Sequence, residues 1–424
     1  MGKFDGKRLL ELGTNVSSVD IVQYARKEGA YVIVADYIDK SKSEAKQYAD
    51  ESALISTLDI DALCELAAEK DIDCVFSGVS ETNILAAKKI ADRMHFPFYF
   101  TSEQWNTVMN KLNFKHLCMA HGVPVPQEFV IEDIDSIEND SSIQYPVIVK
   151  PVDEGAAVGV HICRNAQELK AGYLDAKDKS QSRRVVAEKY ITGQEISAYF
   201  VFVNGEGRLS CVSDKYICRQ DRGYTPLPEA FVMPSKSTGR LSEEVSAKII
   251  SMFKAVGFDT GVFCVQGIAN SEGIFIFECC FRLTGVAMYR FVERINGNSY
   301  MQLMTDKMIL GSADYDLSKE NPTLNGKHCC SLSLLSKGGT VGSISGYEAV
   351  CGMNGVISVE KRYDAGDEIT TNGTLRQTHF QIFMICDTLE ELKAIIETIK
   401  HTIHVTDTDG NNMLYSDFDT ELLG

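Results

Sequence analysis

The feature that most constrains this chain is the regular exchange of short apolar strands for helices across residues 1–100. Residues 9–12 form an apolar run that ends at Gly13; Ser17 and Ser18 are positioned to cap a helix through Lys27, which Gly29 ends. A β-branched run over 31–35 closes on Asp36. Helical spacing returns over 44–48, strand character over 53–55, a helix over 60–70, a strand over 74–76 and a helix over 81–94. Strands alternating with helices of this length predict a parallel sheet with helices on both faces. The first turn, Gly13-Thr-Asn-Val-Ser-Ser18, keeps one glycine of the dinucleotide fingerprint and has Asn15 and Ser18 where the others belong. A side chain at the second position blocks close backbone approach to a pyrophosphate. NAD is therefore not expected, despite Asp36 at the end of the second strand.

At 424 residues the chain exceeds what one hydrophobic core holds, and at roughly 150 residues per domain it divides into two to four. Its 42 basic and 59 acidic residues leave a net charge of −17, which excludes a general nucleic-acid binder; a few placed lysines still suffice for a small anion. The 13 cysteines are odd in number, form no CxxC pair, and include Cys279–Cys280 and Cys329–Cys330 inside apolar stretches. They read as reduced core thiols of a cytoplasmic protein. Residues 1–13 lack a signal-type apolar segment, and no run of about 18 apolar residues occurs, so no membrane span is expected.

Composition shifts around residues 97–101. A helix is predicted over 105–121, stopped by Gly122-Val-Pro-Val-Pro126. Strands follow over 147–149, 185–187, 196–203, 263–268 and 274–277, with a helix over 243–255 between them, a pattern of α+β type. The last hundred residues favour short strands and turns before a helix over 388–403.

Three clusters carry candidate chemistry. In the first, Lys150 ends an apolar strand and is followed by a small-residue loop containing Gly155 and Gly159. Such a loop lets backbone N–H groups approach phosphate oxygens while the lysine supplies a point charge; a hairpin turn with a solvated lysine reads equally well. In the second, residues 188–191 could line a flat pocket for an adenine edge and Glu195 could accept from ribose hydroxyls, or both acids could simply be exposed. In the third, Gln266 and Glu278 lie near the ends of two apolar runs joined by the turn at 270–273, so that a hairpin sets them side by side. Glu278, in an apolar run, needs a cation: a magnesium ion bridged to phosphate, or Arg282 as a buried ion pair.

In order and spacing these clusters resemble the ATP-grasp superfamily, over nearly the whole chain, and in particular its biotin-carboxylase-like members and amino-acid ligases. The resemblance implies a Rossmann-like parallel domain over 1–100, an ATP-grasp domain over 101–324 with a nucleotide-binding subdomain at about 130–205, and a small β-rich C-terminal region over 325–424. The fold class is thus α/β with α+β. It further implies Lys111 and Lys150 as phosphate lysines, Glu188, Lys189, Tyr190 and Ile191 as the adenine hinge, and Glu195 as the ribose acid. Gln266 and Glu278 match the metal pair, Arg282 the arginine facing the transferred phosphoryl group, and Lys215 a further phosphate contact. The first metal position, commonly acidic, is Gln266 here; the position two after Glu278, often Asn, is Cys280, a soft ligand. A weaker second metal site follows.

The implied activity is ATP-dependent ligation with Mg²⁺: a carboxylate becomes an acyl phosphate that an amine or similar nucleophile attacks. Small-molecule substrates are expected, with a homodimer allowed. An alternative is a carboxylase or formyltransferase acting on a ribonucleotide, for which Arg219, Arg222, Arg282, Arg290 and Arg294 would furnish phosphate contacts. Another is a nucleotide-binding regulator without turnover, prompted by Gln266 and Cys280.

Overall fold

A computed structural model describes residues 2–139, 141–153, 158–218, 227–371 and 373–424. The N-terminal alternation folds as β1 (Arg8–Leu12), α1 (Val16–Lys27), β2 (Tyr31–Asp36), α2 (Glu44–Tyr48), β3 (Glu51–Leu54), α3 (Ile60–Glu69), β4 (Cys74–Phe76) and α4 (Glu81–Met94). The four strands form a parallel sheet of order β3-β2-β1-β4. Its two faces enter different cores: Leu9, Val32 and Val34 on one side, Leu10, Leu12, Ile33 and Ala35 on the other. The cap of α1 differs from expectation. Asn15 accepts from the Ser18 amide at 3.1 Å, while Ser17 and Ser18 lie inside the helix and are buried.

Asp36 is not free for a ribose. Its carboxylate meets the Lys46 ammonium at 2.8 Å, both side chains being almost fully buried, and Lys46 also donates to the Asp36 and Ile38 carbonyls. The end of β2 is thus closed by a structural ion pair, which adds a second obstacle to a dinucleotide besides the missing glycines.

The helix expected over 105–121 is two helices, α5 (Ser102–Met109) and α6 (Lys111–Ala120). Asn110 breaks the period because its side chain accepts from the amides of Leu112 and Asn113, trading helix continuation for a cap. Lys111 therefore opens α6. A three-stranded antiparallel sheet follows, in the order β6-β5-β7, from β5 (Val147–Pro151), β6 (His161–Cys163) and β7 (Val185–Lys189), with α7 (Ala166–Lys179) packed on it through Leu169.

Next come β8 (Gln194–Val203), β9 (Glu206–Ile217), β10 (Pro228–Met233), α8 (Thr238–Glu244), α9 (Ser246–Val256), β11 (Gly261–Ala269) and β12 (Ile274–Cys280). The helix expected over 243–255 is likewise broken, at Val245. After α10 (Tyr289–Asn296) and α11 (Tyr300–Leu310) the chain adds β13 (His328–Leu335), β14 (Gly339–Ser345), α12 (Tyr347–Cys351), β15 (Val356–Lys361), β16 (Glu368–Ile369), β17 (Thr378–Cys386), α13 (Leu389–Thr402) and β18 (His404–Asp407). One eight-stranded sheet runs β12-β11-β8-β9-β10-β13-β17-β15. It crosses the expected division at 324/325, since β10 pairs directly with β13. Only β14, β16 and β18 form a separate C-terminal sheet. A stack of Phe253, Phe263 and Phe281, with ring centroids 4.0 and 4.2 Å apart, fills the core behind β11. Among the described residues no helix is long and apolar enough to cross a membrane, and 12 of the 13 cysteines lie buried or half-buried.

The Lys46–Asp36 pair makes a direct prediction. Lys46→Met strands a buried carboxylate and should cost about 3–5 kcal/mol in urea unfolding, most of it recovered by adding Asp36→Asn. A loss below about 1 kcal/mol would show that the pair is not what closes β2.

Candidate active site

Three structural units carry most of the expected residues and touch one another: the β11–β12 hairpin, the small sheet of β5 and β7, and the N-terminal end of α6. In the hairpin Gln266 and Glu278 are register partners, and the next pair on the same face is Cys264 and Cys280. The bulge after Gln266 bends the hairpin at this point. Gln266 lies with its side-chain amide 4.0 Å from the Cys280 sulfur. Burial pushes the Cys280 thiol well up, so it is a neutral, soft group.

Glu278 does not pair with Arg282. Its carboxylate meets the Lys111 ammonium at 3.1 Å, and its side chain keeps 29% exposure, so the apolar run does not bury it. Arg282 instead reaches across to the first turn of α4, donating to Glu81 at 2.8 and 3.2 Å and to the Leu283 carbonyl at 3.0 Å. Glu81 lies 201 positions away in sequence and carries no motif; nothing local announces it.

Lys150 is not the solvated strand-end lysine that a hairpin reading allows; it is buried. Its ammonium stands 2.8 Å from one oxygen of Glu188 and 5.5 Å from the Phe277 ring centroid. The register sets Ile148 opposite Glu188, which leaves Lys150 one residue pair along on the same face. The other Glu188 oxygen accepts from Lys115 at 2.6 Å, and Lys115 also lies 3.5 Å from Glu128. Burial pushes the Glu188 carboxyl up, but Lys150 and Lys115 outweigh it and hold the group below the usual carboxylate range. Lys115 is absent from the sequence-based site. The signal was present: it sits one helical turn from Lys111, so the two share a helix face.

Glu195 and Lys215 are register partners in β8 and β9 and form an ion pair at 2.7 Å. Between β7 and β8 the half-buried Tyr190 and Ile191 run through an open segment, with the Tyr190 amide donating to the Pro146 carbonyl at 2.9 Å. Lys189 points outward, its ammonium 4.0 Å from Glu272. Gly159 takes φ +68°, and a Cβ there would meet Pro151 at 2.9 Å, so the turn after β5 favours glycine. Gly155 lies outside the described residues, as do Arg219 and Arg222. Of the other arginines, Arg290 is fully engaged by Asp20 at 2.9 Å and Glu360 at 2.5 Å, and Arg294 donates to the Arg290 carbonyl.

The arrangement has one recurrent device. Each of four cations, Lys111, Lys150, Lys215 and Arg282, is held by a carboxylate: Glu278, Glu188, Glu195 and Glu81 respectively. Chemically this is a set of cations whose counter-charges are already in place. Because the Lys111–Glu278 pair is partly exposed, Glu278→Gln should change unfolding free energy by less than about 1 kcal/mol. A buried structural pair would lose several times more, and urea melts of the two proteins separate these outcomes.

Comparison with known proteins gives the following likenesses. The D-ala D-ala ligase C-terminus family matches residues 117–309. A D-alanine–D-alanine ligase of Wolbachia sp. subsp. Drosophila simulans (strain wRi) is 32% identical over 90 residues, 21% of this chain. The match spans about a quarter of that relative's length, 27%. Among solved structures, the biotin carboxylase domain dimer of Hydrogenobacter thermophilus 2-oxoglutarate carboxylase, in complex with MgADP, ADP and bicarbonate, superposes with a TM-score of 0.78 at 17% identity. That alignment covers 96% of this chain and 91% of the other. The L-amino acid ligase of Bacillus licheniformis gives 0.75 at 16% identity, covering 95% of this chain and 99% of that one. At such identities the structural likenesses speak for the fold.

Proposed function

We propose that this chain, which belongs to the ATP-grasp superfamily, is an ATP-dependent ligase that joins a carboxylate to an amine through an acyl phosphate. The observation that supports the reading is the set of four cations, Lys111, Lys150, Lys215 and Arg282, on α6, β5, β9 and the segment after β12, each held by a carboxylate. In-line phosphoryl transfer needs positioning and neutralisation of charge rather than covalent help from the protein. We assign Lys111, Lys150, Lys215 and Arg282 to the phosphates, with Lys150 and Arg282 closest to the chemistry. Glu188 and the backbone of 189–191 take the base, Glu195 takes the ribose, and the turn at Gly159 lies over the phosphates. The carboxylate substrate's oxygen attacks the terminal phosphorus and ADP leaves; the amine nitrogen then attacks the acyl carbon and phosphate leaves. The surrounding loops must keep water from the labile acyl phosphate.

The residues fit one magnesium ion. Mg²⁺ keeps most of its waters and takes one or two protein oxygens beside those of phosphate, and the Glu278 carboxylate with the Gln266 amide oxygen supplies that pair. Cys280, neutral and soft, does not extend the set to a second ion. When bound, the ion would neutralise phosphate oxygens. Glu278, on releasing Lys111 to the phosphates, would be the group that turns to it.

A ribonucleotide substrate is less well supported, because the Arg290 guanidinium is committed to Asp20 and Glu360. The proposed division is 1–100, 101–324 and 325–424, the last two sharing a sheet. A reducing cytoplasm is the compartment this reading assumes, and a homodimer is proposed on the likeness to the biotin carboxylase domain dimer.

The test is a phosphate-release screen with MgATP over pairs of amino acids, dipeptides and ribonucleotides. Release that requires both a carboxylate and an amine, and that Glu278→Gln lowers by at least about a hundredfold, is the expected outcome. Release with bicarbonate or formate and a ribonucleotide alone would transfer the protein to the alternative class; release with no combination would leave a nucleotide-binding regulator.

A further inference from the structure

The group in the cleft that the ligase reading does not use is Lys115. It is 4% exposed, and its ammonium has carboxylates on both sides, Glu188 at 2.6 Å and Glu128 at 3.5 Å. Glu188 in turn holds one lysine on each oxygen, Lys115 on one and Lys150 on the other. The charged groups facing Glu188 are Lys115 from α6, Lys150 from β5, and Glu128 from the segment whose backbone bridges to Glu188 itself. On the remaining side α7 packs on this small sheet through the apolar Leu169.

The consequence appears when Lys150 turns to a phosphate. A buried carboxylate that loses its only cation takes up a proton, because the charged form is poorly solvated there. A protonated carboxyl is both donor and acceptor, whereas a carboxylate is an acceptor only. Glu188 escapes this because its second oxygen keeps Lys115. We propose that Lys115 is a positioning residue for nucleotide selection: it stays on Glu188 while Lys150 serves the phosphates, and so keeps Glu188 an acceptor-only carboxylate. Such a group admits a purine that presents an exocyclic amino group at this edge and refuses one that presents a carbonyl. The inference rests on the ATP reading and adds to it a residue and a physical origin for base choice.

The test uses the full chain and calorimetric titration with MgADP and MgGDP from about pH 5.5 to 8. The wild type should prefer ADP by at least about a hundredfold, with little change across this range. Lys115→Met should weaken ADP by at least about tenfold and make its affinity fall as pH drops, since the Glu188 carboxyl now titrates higher; GDP should not weaken. Lys115→Arg should restore both the preference and the flat profile. A folded Lys115→Met with the parent's preference and pH profile would overturn the proposal. Should that variant fail to fold, Glu188→Gln decides: its amide both donates and accepts, so the preference must collapse with no new pH dependence, and a retained hundredfold preference refutes the role. A wild type that binds neither nucleotide would instead overturn the ATP reading, and this inference with it.

Discussion

Charge pairing is the constraint around which these residues are organised, and it is tightest at the buried Glu188. An ammonium or carboxylate taken from water without a partner costs several kcal/mol, so a site proposed to receive a polyanion must keep its cations neutralised while it waits. Here each waiting cation has its own acid: Glu278 for Lys111, Glu188 for Lys150, Glu195 for Lys215 and Glu81 for Arg282. On the proposed reading, a nucleotide triphosphate that displaces these acids exchanges one set of ion pairs for another, so that each cation keeps a counter-charge while the displaced acids are left for other partners. The displaced acids also become available where a divalent cation, a ribose and a base amino group would need acceptors.

The rest of the architecture serves this exchange. The break at Asn110 turns α6 so that Lys111 and Lys115, one turn apart, face the cleft. The antiparallel registers of β5 with β7, β8 with β9, and β11 with β12 bring together acids and bases or amides that lie 12 to 38 positions apart in sequence. The N-terminal sheet contributes Glu81 from the first turn of α4, and its own would-be ligand acid, Asp36, is sealed by Lys46. The α/β unit thus meets the proposed site through Glu81, while its own strand-end acid is occupied.

What the sequence made legible is what local chemistry encodes. The helix over Glu81–Met94 and the strand over Cys74–Phe76 follow from periodicity, and the facing of Gln266 and Glu278 follows from a turn that joins two apolar runs. Lys150, Glu188 and Glu195 were singled out through order and spacing, and the fold pairs Lys150 with Glu188 and Glu195 with Lys215. Partners were not legible. The alternative of a Glu278–Arg282 pair rested on nearness in sequence, yet the fold gives Glu278 to Lys111 and Arg282 to Glu81, choices that depend on long-range packing. Asn110 was read through as helix, since its cap is visible only once the following amides are in position. Lys115 was passed over although its one-turn spacing from Lys111 puts both on one helix face; what the spacing does not report is its burial beside Glu188.

The central claim is that nucleotide binding exchanges the partners of these cations. The most direct measurement is a crystal structure with Mg²⁺ and a non-hydrolysable ATP analogue, read as distances between nitrogen and oxygen. The account predicts that the Lys111–Glu278 and Lys150–Glu188 separations, 3.1 and 2.8 Å without ligand, open beyond the ion-pair limit of about 4 Å as both ammoniums move to phosphate oxygens. Lys115 should stay on Glu188. A nucleotide bound in this cleft with both pairs intact, or with Lys115 withdrawn from Glu188, would contradict it.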